Sequence, residues 1–266
     1  MRTKNLTILY AEEAVEISAK VRQSGDELLV FLHGFGCAKE CFDPIFDVDH
    51  LADFSMLTFD FPGHGASSRS ASGSYSLEYY AKVANFLIAQ IPARRISIVG
   101  HSMGGAVGLV AVQDAPWRRD LAFFVDVDGN LVSEDCGIVS RATAAQSQSE
   151  FLADGYPRFL HSLQSSGQTD QATWARWYAK ADPVALHELA RSLVEWSDSG
   201  KLLEQFKMLD HKCYLYGDRD SRNYLHGDLE AGIMRPVEDS GHFMMLDNPE
   251  GFYGMITEIL AGTGVR

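Results

Sequence analysis

The stretch Arg95-Ile96-Ser97-Ile98-Val99-Gly100-His101-Ser102-Met103-Gly104-Gly105-Ala106-Val107-Gly108-Leu109-Val110-Ala111 decides how the rest of the chain folds. Its first five residues have the alternating and β-branched pattern of a strand. Those from Gly105 onward have the small-residue pattern of a closely packed helix. Ser102 falls on the turn between them, inside Gly-x-Ser-x-Gly. Glycines flank it because side chains there would collide with the neighbouring strand and helix, and the serine itself is forced into an uncommon backbone conformation. Its hydroxyl is thereby held out from the sheet edge. The unpaired N–H groups of the following helix point at the same spot and favour a developing anion.

Outward from this turn, the pattern repeats. Leu28–Leu32 is a continuous apolar run ending in His33-Gly34-Phe35-Gly36, and Ser55–Asp60 is another, ending in Phe61-Pro62-Gly63-His64-Gly65. Such runs read as strands buried on both faces and closed by tight loops. Residues 44–51 read as a short helix, and helical spacing through Leu77, Tyr80, Val83, Ala84 and Leu87 predicts a helix over 76–91. Leu121–Val127 is a further buried strand. This alternation implies a mostly parallel α/β sheet with helices on both faces, with ligands bound beyond the carboxyl ends of its strands. Before it, Leu6–Tyr10 and Ala14–Val21, separated by Ala11-Glu12-Glu13, read as an antiparallel edge hairpin.

From Gly129 to Gln205 the strand runs stop, and helical stripes such as Trp174, Trp177, Tyr178 and Leu186, Leu189, Leu193, Trp196 take over. They are expected to pack an insert onto the main domain, with some of them lining an apolar pocket. Cys213–Tyr216 and Ile233–Val237 resume the sheet. An amphipathic helix over 249–260 closes the chain, with Phe252, Met255, Ile256 and Ile259 or Leu260 facing inward.

The 266 residues suffice for one sizeable α/β domain with an inserted subdomain. With 23 basic and 36 acidic side chains the net charge is −13, which argues against nucleic acid or an anionic membrane as partner. Cys37, Cys41, Cys136 and Cys213 lack metal-site spacing and read as free buried thiols. The beginning of the sequence lacks the apolar core of a signal peptide, and no run is long enough to span a membrane, so a reducing cytoplasm is expected. No metal or cofactor is implied.

A serine hydroxyl needs a base, usually a histidine oriented by a carboxylate. His242, in Ser240-Gly241-His242-Phe243, follows the final strand and can reach over the serine; an imidazole suits this task near neutral pH. His33, His64 and His101 lie in the glycine-containing loops and read as loop-shaping. His50, His161, His187, His211 and His226 have no motif context. For the carboxylate, Gly217-Asp218-Arg219-Asp220 offers Asp220, far enough along its loop to turn back, and Asp218, better placed to brace the turn. Asp128, in Asp126-Val127-Asp128-Gly129-Asn130, is a third candidate. Asp220 is preferred, with Asp128 and Asp218 as alternatives. Charge on a tetrahedral intermediate would be met by the N–H groups of Met103 and Phe35; losing one such donor costs roughly 3 kcal/mol in the barrier.

Through HGFG at 33–36, DFPGHG at 60–65, GHSMGG at 100–105, YGDRD at 216–220 and SGHFMMLDNP at 240–249, nearly the whole chain resembles the α/β-hydrolase superfamily. The resemblance implies an eight-stranded sheet with a helical cap after the sixth strand: a core over 1–128 and 206–266, and a cap over 129–205. It places the triad on Ser102, Asp220 and His242. Haloalkane dehalogenases and epoxide hydrolases of this fold carry an aspartate where Ser102 stands, so the expected activity is that of a cofactor-free serine hydrolase. A small carboxylic ester with an apolar acyl part is the expected substrate. The alternatives are a carbon–carbon bond hydrolase acting on a β-diketone, a thioesterase, and a ligand-binding protein that keeps the fold without the reaction. Arg141, Arg158, Arg176 and Arg191 would favour an anionic substrate if they pointed into the pocket.

Overall fold

A computed structural model describes residues 3–10, 14–220, 223–225, 227–230 and 232–262. The predicted connection at 11–13 and His226 lie outside these residues. Eight strands form one sheet: β1 (Lys4–Tyr10), β2 (Val15–Arg22), β3 (Glu27–Leu32), β4 (Ser55–Phe59), β5 (Arg95–His101), β6 (Leu121–Val127), β7 (Lys212–Gly217) and β8 (Met234–Val237). Their order is β1-β2-β4-β3-β5-β6-β7-β8. β2 is antiparallel to both β1 and β4, and every other pairing is parallel. This is the expected α/β architecture.

The continuous apolar runs are explained by cover on both sides. In β3, Leu28, Val30 and Leu32 join one buried cluster while Leu29 and Phe31 join the other, as the two-residue period of a strand requires. The first cluster holds α1 (Leu77–Ala89) and α2 (Met103–Gln113). The second holds the closing helices and the segment between β3 and β4. Ser76 starts α1 as its cap, its hydroxyl accepting from the Tyr79 N–H at 3.2 Å. In place of the helix predicted over 44–51, two 3-10 segments occupy Lys39–Asp47 and Asp49–Leu51. Pro44 lies inside the first; its missing N–H and ring do not suit the interior of an α-helix.

Between β6 and β7 the chain is helical. α3 (Gly137–Ala144) is followed by the short α4 (Gln148–Glu150), a π turn at Phe151–Gly155 and α5 (Tyr156–Ser165). Then come α6 (Thr169–Tyr178), α7 (Pro183–Asp198) and α8 (Lys201–Lys207). Leu186, Leu189 and Leu193 form the buried stripe of α7. Trp196 lies at its edge and donates to Glu78 at 2.8 Å. α8 crosses position 205 and packs Phe206 against Phe124 and Tyr214 of the sheet. After β8 follow α9 (Met244–Asp247) and α10 (Pro249–Gly262), with Phe252, Ile256, Ile259 and Leu260 buried as the spacing predicts and Tyr253 beside them. The four cysteines are buried and unbridged. Among the described residues no helix is long and apolar enough to cross a membrane, and no group of three His, Cys, Asp or Glu side chains could hold a metal ion.

Candidate active site

Ser102 joins β5 to α2 with φ 53° and ψ −122°, a conformation that costs energy for any residue with a side chain. The surroundings enforce it. A Cβ on Gly100 would lie 2.6 Å from the backbone of both Gly104 and Gly105, and one on Gly104 would overlap the Leu32 carbonyl. The Ser102 N–H donates to the Val127 carbonyl at 2.9 Å, which ties the turn to the end of β6. Ser102 is half-buried and opens onto a cavity of about 260 Å³ whose wall also carries His242.

The acid beside His242 differs from the one expected. Nδ1 of His242 lies 2.5 Å from Oδ2 of Asp128, whose carboxylate is fully buried, while the imidazole is 38% exposed on the cavity side. Asp128 has φ 48°, a left-handed conformation that Asp tolerates better than most residues, and its N–H donates to Leu215 of β7 at 2.7 Å. Those two features swing the side chain across the sheet edge to the imidazole. Asp220 lines the cavity farther along the β7 loop, where its N–H closes a tight turn on the Gly217 carbonyl. Asp218 is exposed and accepts from the Ser240 N–H at 3.2 Å, bracing the turn that leads to His242.

Two further histidines hold backbone, His101 while lining the cavity beside Ser102. His101 donates from Nε2 to the His242 carbonyl at 2.9 Å, and its ring lies 4.7 Å from that of His242. Burial, with the neighbouring His242 as a lesser cause, lowers it to about 3, so it is neutral and keeps that proton. His33 accepts from the Phe61 N–H at 3.1 Å through Nε2, which leaves its proton on Nδ1, 2.9 Å from the Gly34 carbonyl. Burial lowers His33 to about 4. The Gly34 carbonyl also accepts from Cys37 N–H at 3.1 Å. Across the trans peptide, the Phe35 N–H therefore points the opposite way. The Phe35 carbonyl is held in turn by Nε1 of Trp174 at 3.1 Å, and Gly36, at φ 64°, lies where a Cβ would enter the Tyr178 ring. Asp60 joins this loop to the one after β4, its two oxygens accepting from the backbone and ammonium of Lys39, each at 2.8 Å, and from Ala66 N–H at 2.9 Å. Met103, first residue of α2, has no intrahelical partner for its N–H.

The cavity wall is mixed rather than uniformly apolar. Phe35, Trp174 and Phe243 form one part; Asn130, Glu134 and Ser140 another. Sequence reasoning missed Asn130 and Ser140, although Asn130 stands three residues past the end of β6, at the edge where ligands bind. Arg141 is taken up by Asp198, Arg158 by Asp154 and Arg176 by Thr173, and none of these three, nor Arg191, lines the cavity.

Residues 29–254 match the model of the alpha/beta hydrolase family, and the chain belongs to that family. A putative esterase/lipase 2 of Mycoplasma pneumoniae is 33% identical over 81 residues, covering 30% of this chain and 30% of that protein. A 2-succinyl-6-hydroxy-2,4-cyclohexadiene-1-carboxylate synthase of Salmonella arizonae is 26% identical over 250 residues, covering 90% of this chain and 95% of the synthase. Among solved structures, an N-acyl homoserine lactonase complexed with N-hexanoyl homoserine superposes with a TM-score of 0.74 at 18% identity, over 98% of this chain and 97% of the lactonase. The last of these is a likeness of fold.

Proposed function

We propose that the protein is a serine hydrolase that cleaves a small carboxylic ester through an acyl-enzyme. The observation that carries this reading is the bond from buried Asp128 to Nδ1 of His242, whose ring lines the same cavity as Ser102. With Nδ1–H held by the carboxylate, Nε2 is left to take the Ser102 proton. Oγ attacks the ester carbonyl, and the oxygen that becomes negative accepts from the Met103 and Phe35 N–H groups. The intermediate collapses, the C–O bond to the alcohol breaks, and His242 returns the proton to the departing alcohol. Water, deprotonated by His242, then attacks the acyl-enzyme, releasing the carboxylic acid and Ser102. The helices between β6 and β7 act as a cap, with Trp174 bracing the Phe35 loop. The apolar acyl part lies against Phe35, Trp174 and Phe243.

The esterase/lipase name of one relative and the lactonase name of a structural neighbour agree with this reading. The synthase relative's name points to a different reaction, one that yields a cyclohexadiene carboxylate. Its carboxylate-bearing product fits less well, since no Lys or Arg among the described residues lines the cavity. Ser102→Ala is expected to lower kcat on p-nitrophenyl butyrate by at least about 10⁴-fold and to abolish labelling by a fluorophosphonate. Undiminished turnover in this variant would refute the mechanism; turnover of a β-diketone in preference to esters would favour carbon–carbon chemistry.

A further inference from the structure

Asn130 and Ser140 are 3% and 7% exposed, yet both line the cavity that holds Ser102 and His242. Asn130, on the loop after β6, directs its Nδ2 at the Cys136 sulfur, a weak contact at 4.0 Å. Its Oδ1 has no donor among the described residues. Ser140, in the middle of α3, is likewise without a hydrogen-bond partner for its hydroxyl among the described residues. Neither atom is sealed off without a partner: both open onto the cavity, where a polar partner that enters it can pair with them. That partner must donate to Asn130 Oδ1. The charged side chains near it in the wall, Glu134 and Asp135, are acceptors too, and Asp135 is already engaged by the Leu131 and Val132 N–H groups and by the Tyr224 hydroxyl. A carboxylate or phosphate would therefore meet acceptors where it needs donors.

We propose that Asn130 and Ser140 form a specificity subsite for a neutral hydrogen-bond donor, a hydroxyl or an amide N–H, carried by the substrate on its acyl or alcohol part. This deepens the ester-hydrolase reading and rests on it for the identity of the reacting group. A site built to hydrogen-bond a substrate hydroxyl discriminates against the analogue lacking it, because that analogue excludes water from these polar groups without replacing its hydrogen bonds.

The test compares three esters of similar size: ethyl butyrate, ethyl 3-hydroxybutyrate and 2-hydroxyethyl butyrate. With the wild-type protein, kcat/KM for at least one hydroxylated ester is expected to exceed that for ethyl butyrate by roughly tenfold. Asn130→Leu, nearly isosteric, is expected to bring that ratio close to one, and Ser140→Ala to lower it by roughly threefold. The ratio is internal to each protein, and Ser140→Ala, a loss of one atom, serves if Asn130→Leu does not fold. No preference in the wild type, or a ratio that both variants leave unchanged, overturns the proposal. Binding of the same three esters to Ser102→Ala, followed by ligand-observed NMR, keeps the two readings apart. If the fluorophosphonate fails to label Ser102, the hydrolase mechanism falls, while tighter binding of a hydroxylated ester, lost in Ser102→Ala/Asn130→Leu, still supports the subsite and equal binding refutes it.

Discussion

Two strand ends each carry a pair of acidic residues, and they use them differently. After β7, Asp218 and Asp220 belong to a tight turn: one braces the backbone at Ser240, and the other closes on Gly217. At the end of β6, Asp126 and Asp128 are buried two residues apart, and among the described residues only the second has an ionic partner, His242. Distance along the chain from a strand end does not determine which carboxylate meets the imidazole. Backbone conformation does: Asp128, at φ 48° and anchored to Leu215, points across the edge.

The largest expected effect tests this contrast directly. Asp128→Asn is expected to lower kcat/KM on p-nitrophenyl butyrate by about 10⁴-fold, because the imidazole loses the carboxylate that fixes its tautomer. Asp220→Asn should cost less than about tenfold. The reverse ranking in steady-state kinetics would return the acid to the β7 loop.

A smaller effect concerns Asp126. It is fully buried with neither oxygen hydrogen-bonded among the described residues, and burial, aided by Asp135 and Asp128, holds its carboxyl well above the usual carboxylate range. A raised folded value means that the native state binds more protons than the unfolded one above the unfolded value. Stability from this group is therefore present at low pH and lost as pH rises toward the folded value. Asp126→Asn, neutral at every pH, removes that loss: a gain of about 1 kcal/mol at pH 8 is expected and little change near pH 4. Thermal unfolding of both proteins across this range measures it, and parallel profiles would show that Asp126 does not titrate differently on folding.

The smallest effect is expected at Asp218. Removing an exposed carboxylate that accepts one backbone N–H should cost about 0.5–1 kcal/mol and change kcat/KM less than threefold. A drop approaching that of Asp128→Asn would mean that the brace at Ser240 positions His242 more strongly than its geometry indicates.

Much of the molecule was legible in advance because the relevant signals are local. The inner strands follow from apolar runs of the right length, β1 and β2 from alternating segments, and the Ser102 turn from glycines that no other residue could replace without overlap. The helical stripe at Leu186, Leu189 and Leu193 packed as its spacing implied. Spacing said less about the segment around Pro44, where one proline turned an expected helix into 3-10 structure. It also said little about the cavity wall: the aromatic stripes suggested an apolar pocket, but α3 and the β6 loop bring Ser140 and Asn130 into it beside Trp174.

The sequence by itself determined the mostly parallel sheet, the tight turn at Ser102 and the place of His242 after the last strand, since periodicity and glycine sterics act over a few residues. Only the tertiary structure decided which aspartate His242 holds and which polar groups face the cavity. Those outcomes depend on side-chain direction, set by one left-handed residue and by hydrogen bonds between strands that lie far apart in the chain.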